Sequence, residues 1–225
     1  MTYCGGILVR EGLVMFADTR TNAGVDNIST FRKLHVFKDP KKRVMAIASA
    51  GNLSISQSVV STLTEGYDNP ETGEHETLMN APTLFQAARR VGHVARTIHA
   101  TEGKALESSD VTFDVSFLFG GQIMGERMRL FMIYSAGNFI ECTVDTPYLQ
   151  IGEVKYGKPV LDRAINLRNG HLRCAQSRVD LYRLDDAVES VGRNADRSDG
   201  AATRYLRSGT DLPDRAGGAL FQRSA

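Results

Sequence analysis

The chain opens on two apolar runs, Ile7 to Val9 and Leu13 to Ala17, parted by a short polar stretch. Thr2 to Val9 reads as a strand, Glu11-Gly12 as a turn and Leu13 to Asp18 as the returning strand, because a glycine between two apolar runs favours a hairpin. Lys33 to Phe37 forms the next strand, with Leu34 and Val36 on one face and His35 on the other. After a turn at Asp39-Pro40, Arg43 to Ala48 reads as a buried strand. Four strands with mostly short connections predict antiparallel pairing. Gly51-Asn52 ends the run, and Asn52 suits a helix N-cap. Leu53, Val59, Val60 and Leu63 fit a helical face only loosely. Residues 66–81 are polar and loop-like. Beyond Pro82, the stripe Leu84, Ala87, Ala88, Val91, Val94, Ala95 and Ile98 marks a helix.

Strands return at Val111 to Phe119 and Arg129 to Ser135, joined through Gly120-Gly121 and Gly125-Glu126. Phe139 to Cys142 and Tyr148 to Ile151 read as short strands, and Lys155 to Ile165 as the start of a helix. The order strands, two helices, strands, helix is an α+β pattern in which two sheets stack with helices outside. From Asn166 onward the texture changes. That stretch has no lysine, isoleucine or methionine, arginine recurs every few residues, and apolar periodicity is weak.

The chain has 225 residues, enough for one large domain with a sizeable core or two small ones. A hydrophobic fraction of 42% fits a globular protein. A formal net charge of +1 disfavours nucleic acid or an anionic membrane as partner. No apolar run is long enough to span a bilayer, and the N-terminus lacks the basic-then-apolar order of a secretory signal. Cys4, Cys142 and Cys174 are odd in number and far apart, which predicts reduced thiols and a cytoplasmic location.

The chemistry concentrates at the N-terminus. Removing Met1 before a small residue would make Thr2 the first residue. Its hydroxyl is a nucleophile, and its α-amine, with an intrinsic pKa of roughly 7.7–8.0, is a general base near neutral pH. Threonine with its own amine is a nucleophile-base pair. A nearby cation, held by a carboxylate, would lower the amine's proton affinity, and a backbone N–H would complete an oxyanion hole. Taken singly, the neighbouring features have plainer explanations: a start-codon preference at Thr2, a surface ion pair at Asp18 and Arg20, a solvated lysine at Lys33, a strand-to-helix turn at Ala50-Gly51.

Together they carry a resemblance. Thr2, then Ala17-Asp18-Thr19-Arg20-Thr21, then Arg32-Lys33-Leu34, then Ala50-Gly51 before a helix resembles a proteasome β-type subunit, an N-terminal nucleophile hydrolase. The stretches TRTNAGVDNISTFRKLHVF, SAGNLSISQS, RLFMIYSAGNFIE and PYLQIGEVKYGKPVLDRAI resemble more particularly the bacterial Anbu, or ancestral β subunit, family. This resemblance implies a four-layer αββα sandwich. It implies Thr2 as nucleophile, Lys33 lowering the amine's pKa, Asp18 orienting Lys33, Gly51 N–H as oxyanion donor and, on a looser match, Ser135 supporting the amine. It implies hydrolysis of a peptide or other amide bond through an acyl-enzyme ester, self-association into a ring-like or helical homo-oligomer, and no metal or organic cofactor. A catalytically silent assembly subunit, or an enzyme acting on a non-peptide amide, are the alternatives. His75 beside Glu71, Glu74 and Glu76 reads as a solvated loop, His93 and His99 do not share a helix face as metal ligands, and Cys4 reads as a buried apolar residue.

The resemblance covers residues 1–165, the hydrolase domain, and breaks in the tail at 166–225. The family continues there with a last helix and strands, including a segment S-x-D-S-T-x-R-S-N-L-S-V-G-x-P-x-D-L that supports the N-terminal amine. Val179 to Asp199, back-translated with permitted codons and read one base later, gives S-I-S-I-D-S-T-M-R-S-N-L-S-V-G-M-P-I-D-L. The tail therefore reads as an out-of-frame translation with the frame change between Asn166 and Gly170, the competing explanation being a genuinely divergent, disordered tail. The gene's nucleotide sequence decides between them.

Overall fold

The computed structural model describes residues 2–9, 12–22, 28–40, 42–70, 72–108, 113–153, 155, 158, 159, 161 and 201–207; for 20–22, 28–30, 104–107 and 201–207 this means the backbone. Strands β1 (Tyr3–Val9), β2 (Gly12–Asp18), β3 (Arg20–Asn22), β4 (Ile28–Thr30), β5 (Leu34–Asp39) and β6 (Arg43–Gly51) come first. Helix α1 (Leu53–Glu65), the short strands β7 (Tyr67–Asp68) and β8 (His75–Glu76), and helix α2 (Leu84–Glu107) follow. Then come β9 (Val115–Ile123), β10 (Arg129–Ile133), β11 (Phe139–Glu141), β12 (Tyr148–Gly152) and β13 (Ala201–Arg207).

The longer strands form two antiparallel sheets, in the orders β12-β1-β2-β13 and β11-β10-β9-β6-β5, and β3-β4 and β7-β8 pair as separate two-stranded ribbons. The first four long strands thus divide, as two hairpins, between different sheets. The alternation in each strand explains the stacking. Leu13, Met15 and Ala17 of β2, with Cys4 of β1, pack against Leu34, Ala46, Ala48, Leu118 and Leu130 of the second sheet. The alternate residues Met45, Ile47, Phe117, Phe119, Phe131 and Ile133 face the other way, onto Ile55, Val59 and Leu63 of α1 and the Leu84–Ile98 stripe of α2. Strands β6 and β9 are buried on both faces, so they read as nearly continuous apolar runs. The outer face of the first sheet carries Ile7, Val14 and Tyr148, with Phe16 and Leu161 against them. Three layers, helix, sheet and sheet, are thereby described, and Leu161 lies where a fourth would cover the first sheet. The architecture is the α+β fold of the N-terminal nucleophile hydrolase type.

Local chemistry sets the element ends. Asn52 is the N-cap of α1, its Oδ1 accepting from Ser54 N at 2.9 Å and Ile55 N at 3.4 Å. The 66–81 stretch holds the small β7–β8 hairpin, tied down where Glu76 accepts from the Tyr67 hydroxyl, Asn69 and Arg90. Gly120-Gly121 does not connect two strands but lies inside β9. A Cβ at Gly121 would fall 2.1 Å from the Val44 carbonyl oxygen, and one at Gly120 2.7 Å from Leu13 Cδ2. These glycines therefore permit close approach within and between the sheets, and the turn is left to Gly125. Lys155, Lys158, Pro159 and Leu161 are helical, where a helix start was expected.

Most of the divergent tail lies outside the described residues, so the frame-change reading and the supporting segment at 179–199 have no structural counterpart here. Its strand β13 was not expected. It pairs along the whole of β2, from Ala201 opposite Asp18 to Arg207 opposite Gly12. Among the described residues no helix is long and apolar enough to cross a membrane.

Candidate active site

The strand registers assemble the N-terminal cluster. Strand β1 lies between β12 and β2, and Cys4 opposite Ala17 brings the start of β1 beside Asp18 at the end of β2. Tyr3 N–H donates to Asp18 Oδ1 at 3.0 Å. Lys33 arrives from the second sheet, directly before β5, where Ser49 N–H donates to its carbonyl at 3.1 Å. Its ammonium donates to Thr2 Oγ1 at 2.9 Å and to Asp18 Oδ1 and Oδ2 at 3.0 and 2.9 Å. The Lys33 side chain is 5% exposed and that of Asp18 27%. Among the described residues Lys33 is the one buried charged side chain. A buried cation is tolerable only with a paired anion and satisfied donors, and Asp18 supplies that anion.

Lysine donation to Thr2 leaves the threonine hydroxyl proton free to point elsewhere, because the oxygen acts as acceptor. The cation thus meets the hydroxyl oxygen directly.

Gly51 ends β6 with φ +106°, exposed at the sheet end. A Cβ there would fall 2.2 Å from the Asp114 carbonyl oxygen, which also accepts Asn52 N–H at 2.7 Å. The position therefore requires glycine on both counts. Two residues earlier, the Ser49 carbonyl lies 3.5 Å from Cys4 Sγ, which ties this end of β6 to the start of β1. Ser135 follows β10. It sits in the β10–β11 turn closed by Gly137 N–H to Tyr134 O. That turn packs on α2, with Arg96 donating to the Gly137 carbonyl. None of the contacts found for Thr2 involves Ser135. The Ser-Ala-Gly match that suggested Ser135 belongs to a hairpin turn.

A contact to Thr2 that the sequence reading did not single out comes from the end of β12. Glu153 N–H donates to the Thr2 carbonyl at 2.7 Å, and Gly152 turns with φ +84° to bring it there. The only signal in the sequence was a glycine directly after the strand of PYLQIGE.

The remaining candidates are structural. Burial pushes the Cys4 thiol up to about 12, with the Asp18 charge adding and Lys33 opposing, so it stays protonated and un-nucleophilic at neutral pH. His75 Nδ1 lies 3.0 Å from Asp68 Oδ1 and its Nε2 3.1 Å from the Glu65 carbonyl, while Glu76 faces Arg90; Glu71 lies outside the described residues. His93 stacks on Tyr67 and His99 meets Phe113 edge-on.

No protein-family model matches the chain, and no curated protein does. Solved structures do. Anbu from Yersinia bercovieri is 48% identical over 73% of this chain and 66% of its own, with a TM-score of 0.63. Anbu from Hyphomicrobium sp. strain MC1 is 45% identical over 75% of this chain and 69% of its own, also at 0.63. The helical assembly of the Anbu complex from Pseudomonas aeruginosa aligns over 91% of this chain and 81% of its own at 36% identity, with a TM-score of 0.70. Identity of this order over so much of each chain shows that the chain belongs to the Anbu (ancestral β-subunit) family of proteasome-like proteins.

Proposed function

We propose that the chain is a threonine-type hydrolase of peptide or related amide bonds, with Thr2 as nucleophile once Met1 is removed. The observation that carries this is Lys33, buried between Thr2 Oγ1 and both oxygens of Asp18. In the proposed reaction the Thr2 α-amine takes the hydroxyl proton as Oγ1 attacks the substrate carbonyl carbon. Lys33 stabilises the charge developing on Oγ1 and disfavours protonation of the amine. Asp18 orients Lys33 and holds Tyr3 N–H. Gly51 N–H faces the oxyanion. The amine then protonates the departing nitrogen, leaving a threonine ester that water hydrolyses with the amine again as base.

Residues 1–165 form the hydrolase domain in this proposal, and 166–225 the altered tail. Self-association follows from family membership and from the helical assembly of the Pseudomonas protein. The test is intact mass with and without an epoxyketone peptide, a probe that bonds to both hydroxyl and amine of an N-terminal threonine. Expected are loss of Met1 and a single adduct at Thr2. A retained methionine, or a processed chain that stays unlabelled, overturns the reading and leaves a silent assembly subunit.

A further inference from the structure

Among the described residues the Thr2 side chain is anchored by Lys33, but a nucleophile at a chain end also needs its backbone fixed. We propose that Gly152 is a positioning residue, whose left-handed turn lets Glu153 N–H clamp the Thr2 carbonyl and so aim Oγ1 at Lys33. This rests on the reading of Thr2 as nucleophile.

The geometry is specific. Strand β1 pairs with β12 through Tyr3 opposite Gly152, and the ladder then ends. One residue further, Glu153 N–H reaches the Thr2 carbonyl oxygen at 2.7 Å. On the other side Tyr3 N–H is held by Asp18 Oδ1 at 3.0 Å. The peptide unit joining Thr2 to Tyr3 is therefore gripped at its oxygen and at its nitrogen, by two different strands. With that plane fixed, Thr2 keeps only the rotations about its own bonds, and the Lys33 ammonium at 2.9 Å selects among them.

Gly152 is what allows the first grip. Its φ of +84° is a left-handed conformation, costly for any residue with a Cβ. More tellingly, a Cβ would lie 2.1 Å from Thr2 O and 2.8 Å from Thr2 C. Those are backbone atoms of the nucleophile itself, so relief of the clash must move Thr2. Gly125 makes a built-in comparison. Its φ is +87°, yet a Cβ there would meet nothing within 4 Å. Gly125→Ala carries the same backbone strain as Gly152→Ala without touching the site.

The experiment uses the full chain and two readouts. Hydrogen exchange resolved at the Glu153 amide reports the clamp whether or not the protein is active. Epoxyketone labelling at saturating probe, followed by intact mass, reports alignment of the nucleophile. In the native chain the Glu153 amide is expected to be protected. In Gly152→Ala it exchanges freely while amides inside β1 stay protected. The labelling rate falls about a hundredfold, the effect of an ångström-scale misplacement, with the half-saturating probe concentration unchanged. Gly125→Ala labels at the native rate. Free exchange at Glu153 in the native chain overturns the proposal, as does native-rate labelling of Gly152→Ala or an equal loss in Gly125→Ala. Should Gly152→Ala fail to fold, exchange in the native chain decides. If the native chain takes no probe, the hydrolase reading falls by itself, and protection of Glu153 still decides the clamp.

Discussion

Replacing Lys33 by methionine separates the stability of the cluster from its chemistry. The substitution keeps most of the apolar stem and removes the ammonium that faces Thr2 Oγ1 and both Asp18 oxygens. Removing one partner of a buried pair costs about 3–5 kcal/mol, because the other charge is left uncompensated. Here Asp18 is 27% exposed and keeps Tyr3 N–H, so the lower end, about 3 kcal/mol, is expected. With a urea slope of about 3 kcal/mol/M, the unfolding midpoint falls by about 1 M. Labelling of Thr2 slows by about 10²–10⁴, the scale of a lost acid–base component. The double variant Lys33→Met/Asp18→Asn removes both charges while Asn still accepts from Tyr3 N–H. It recovers most of the stability, since a neutralised pair leaves no buried charge, and it recovers none of the labelling. Urea curves and labelling rates on three proteins decide the matter. The reasoning fails if Lys33→Met labels within about threefold of native, or if the double variant is no more stable than the single.

Other expectations concern the frame around the site. The Cys4 thiol, raised by burial from 9.0 to about 12, binds its proton in the folded chain at pH values where the unfolded chain has lost it. It therefore contributes stability that is complete below about pH 9 and declines as pH rises toward 12; melting temperatures across that range should fall less steeply in Cys4→Ala. Asn52→Ala removes the acceptor for Ser54 N and Ile55 N and should cost about 1 kcal/mol in urea unfolding. Gly92→Ala, in the interior of α2, tests packing against propensity. Propensity alone predicts a gain of about 0.5–1 kcal/mol, whereas a Cβ lying 2.1 Å from the Gly137 carbonyl oxygen predicts a net loss and a lower melting temperature.

Much of the frame is written in local chemistry. The apolar run Leu13–Ala17 after a glycine turn, the cap at Asn52 and the Leu84–Ile98 stripe each identify an element from its own residues, and each is observed. The association of Thr2, Asp18 and Lys33 was legible through the family pattern, and the structure brings these three together. What escaped depends on partners distant in sequence. The division of the first strands between two sheets follows from which faces bury, as Leu13 against Leu118, and hairpin signals are silent on that. The glycine pair in β9 looked like a turn because its constraint is a carbonyl on β6. Gly152 was overlooked because its meaning lies in an atom of Thr2, some 150 positions away in the chain.

Strand β13 covers the outer flank of β2, matching seven of its residues one for one. Backbone ladders accept almost any sequence that can extend, which is how a tail of unfamiliar composition finds a place in the first sheet. An uncovered β2 would offer a row of free N–H and C=O groups over the apolar run Leu13, Val14, Met15 and Phe16, the pattern that recruits strands from other molecules into aggregates. The tail, whatever its origin, thus serves as a stopper on an adhesive edge. Trimming the chain before Ala201 should exchange solubility for fibrils that bind thioflavin T, while a truncated chain that stays dispersed would show that β2 is guarded by something else.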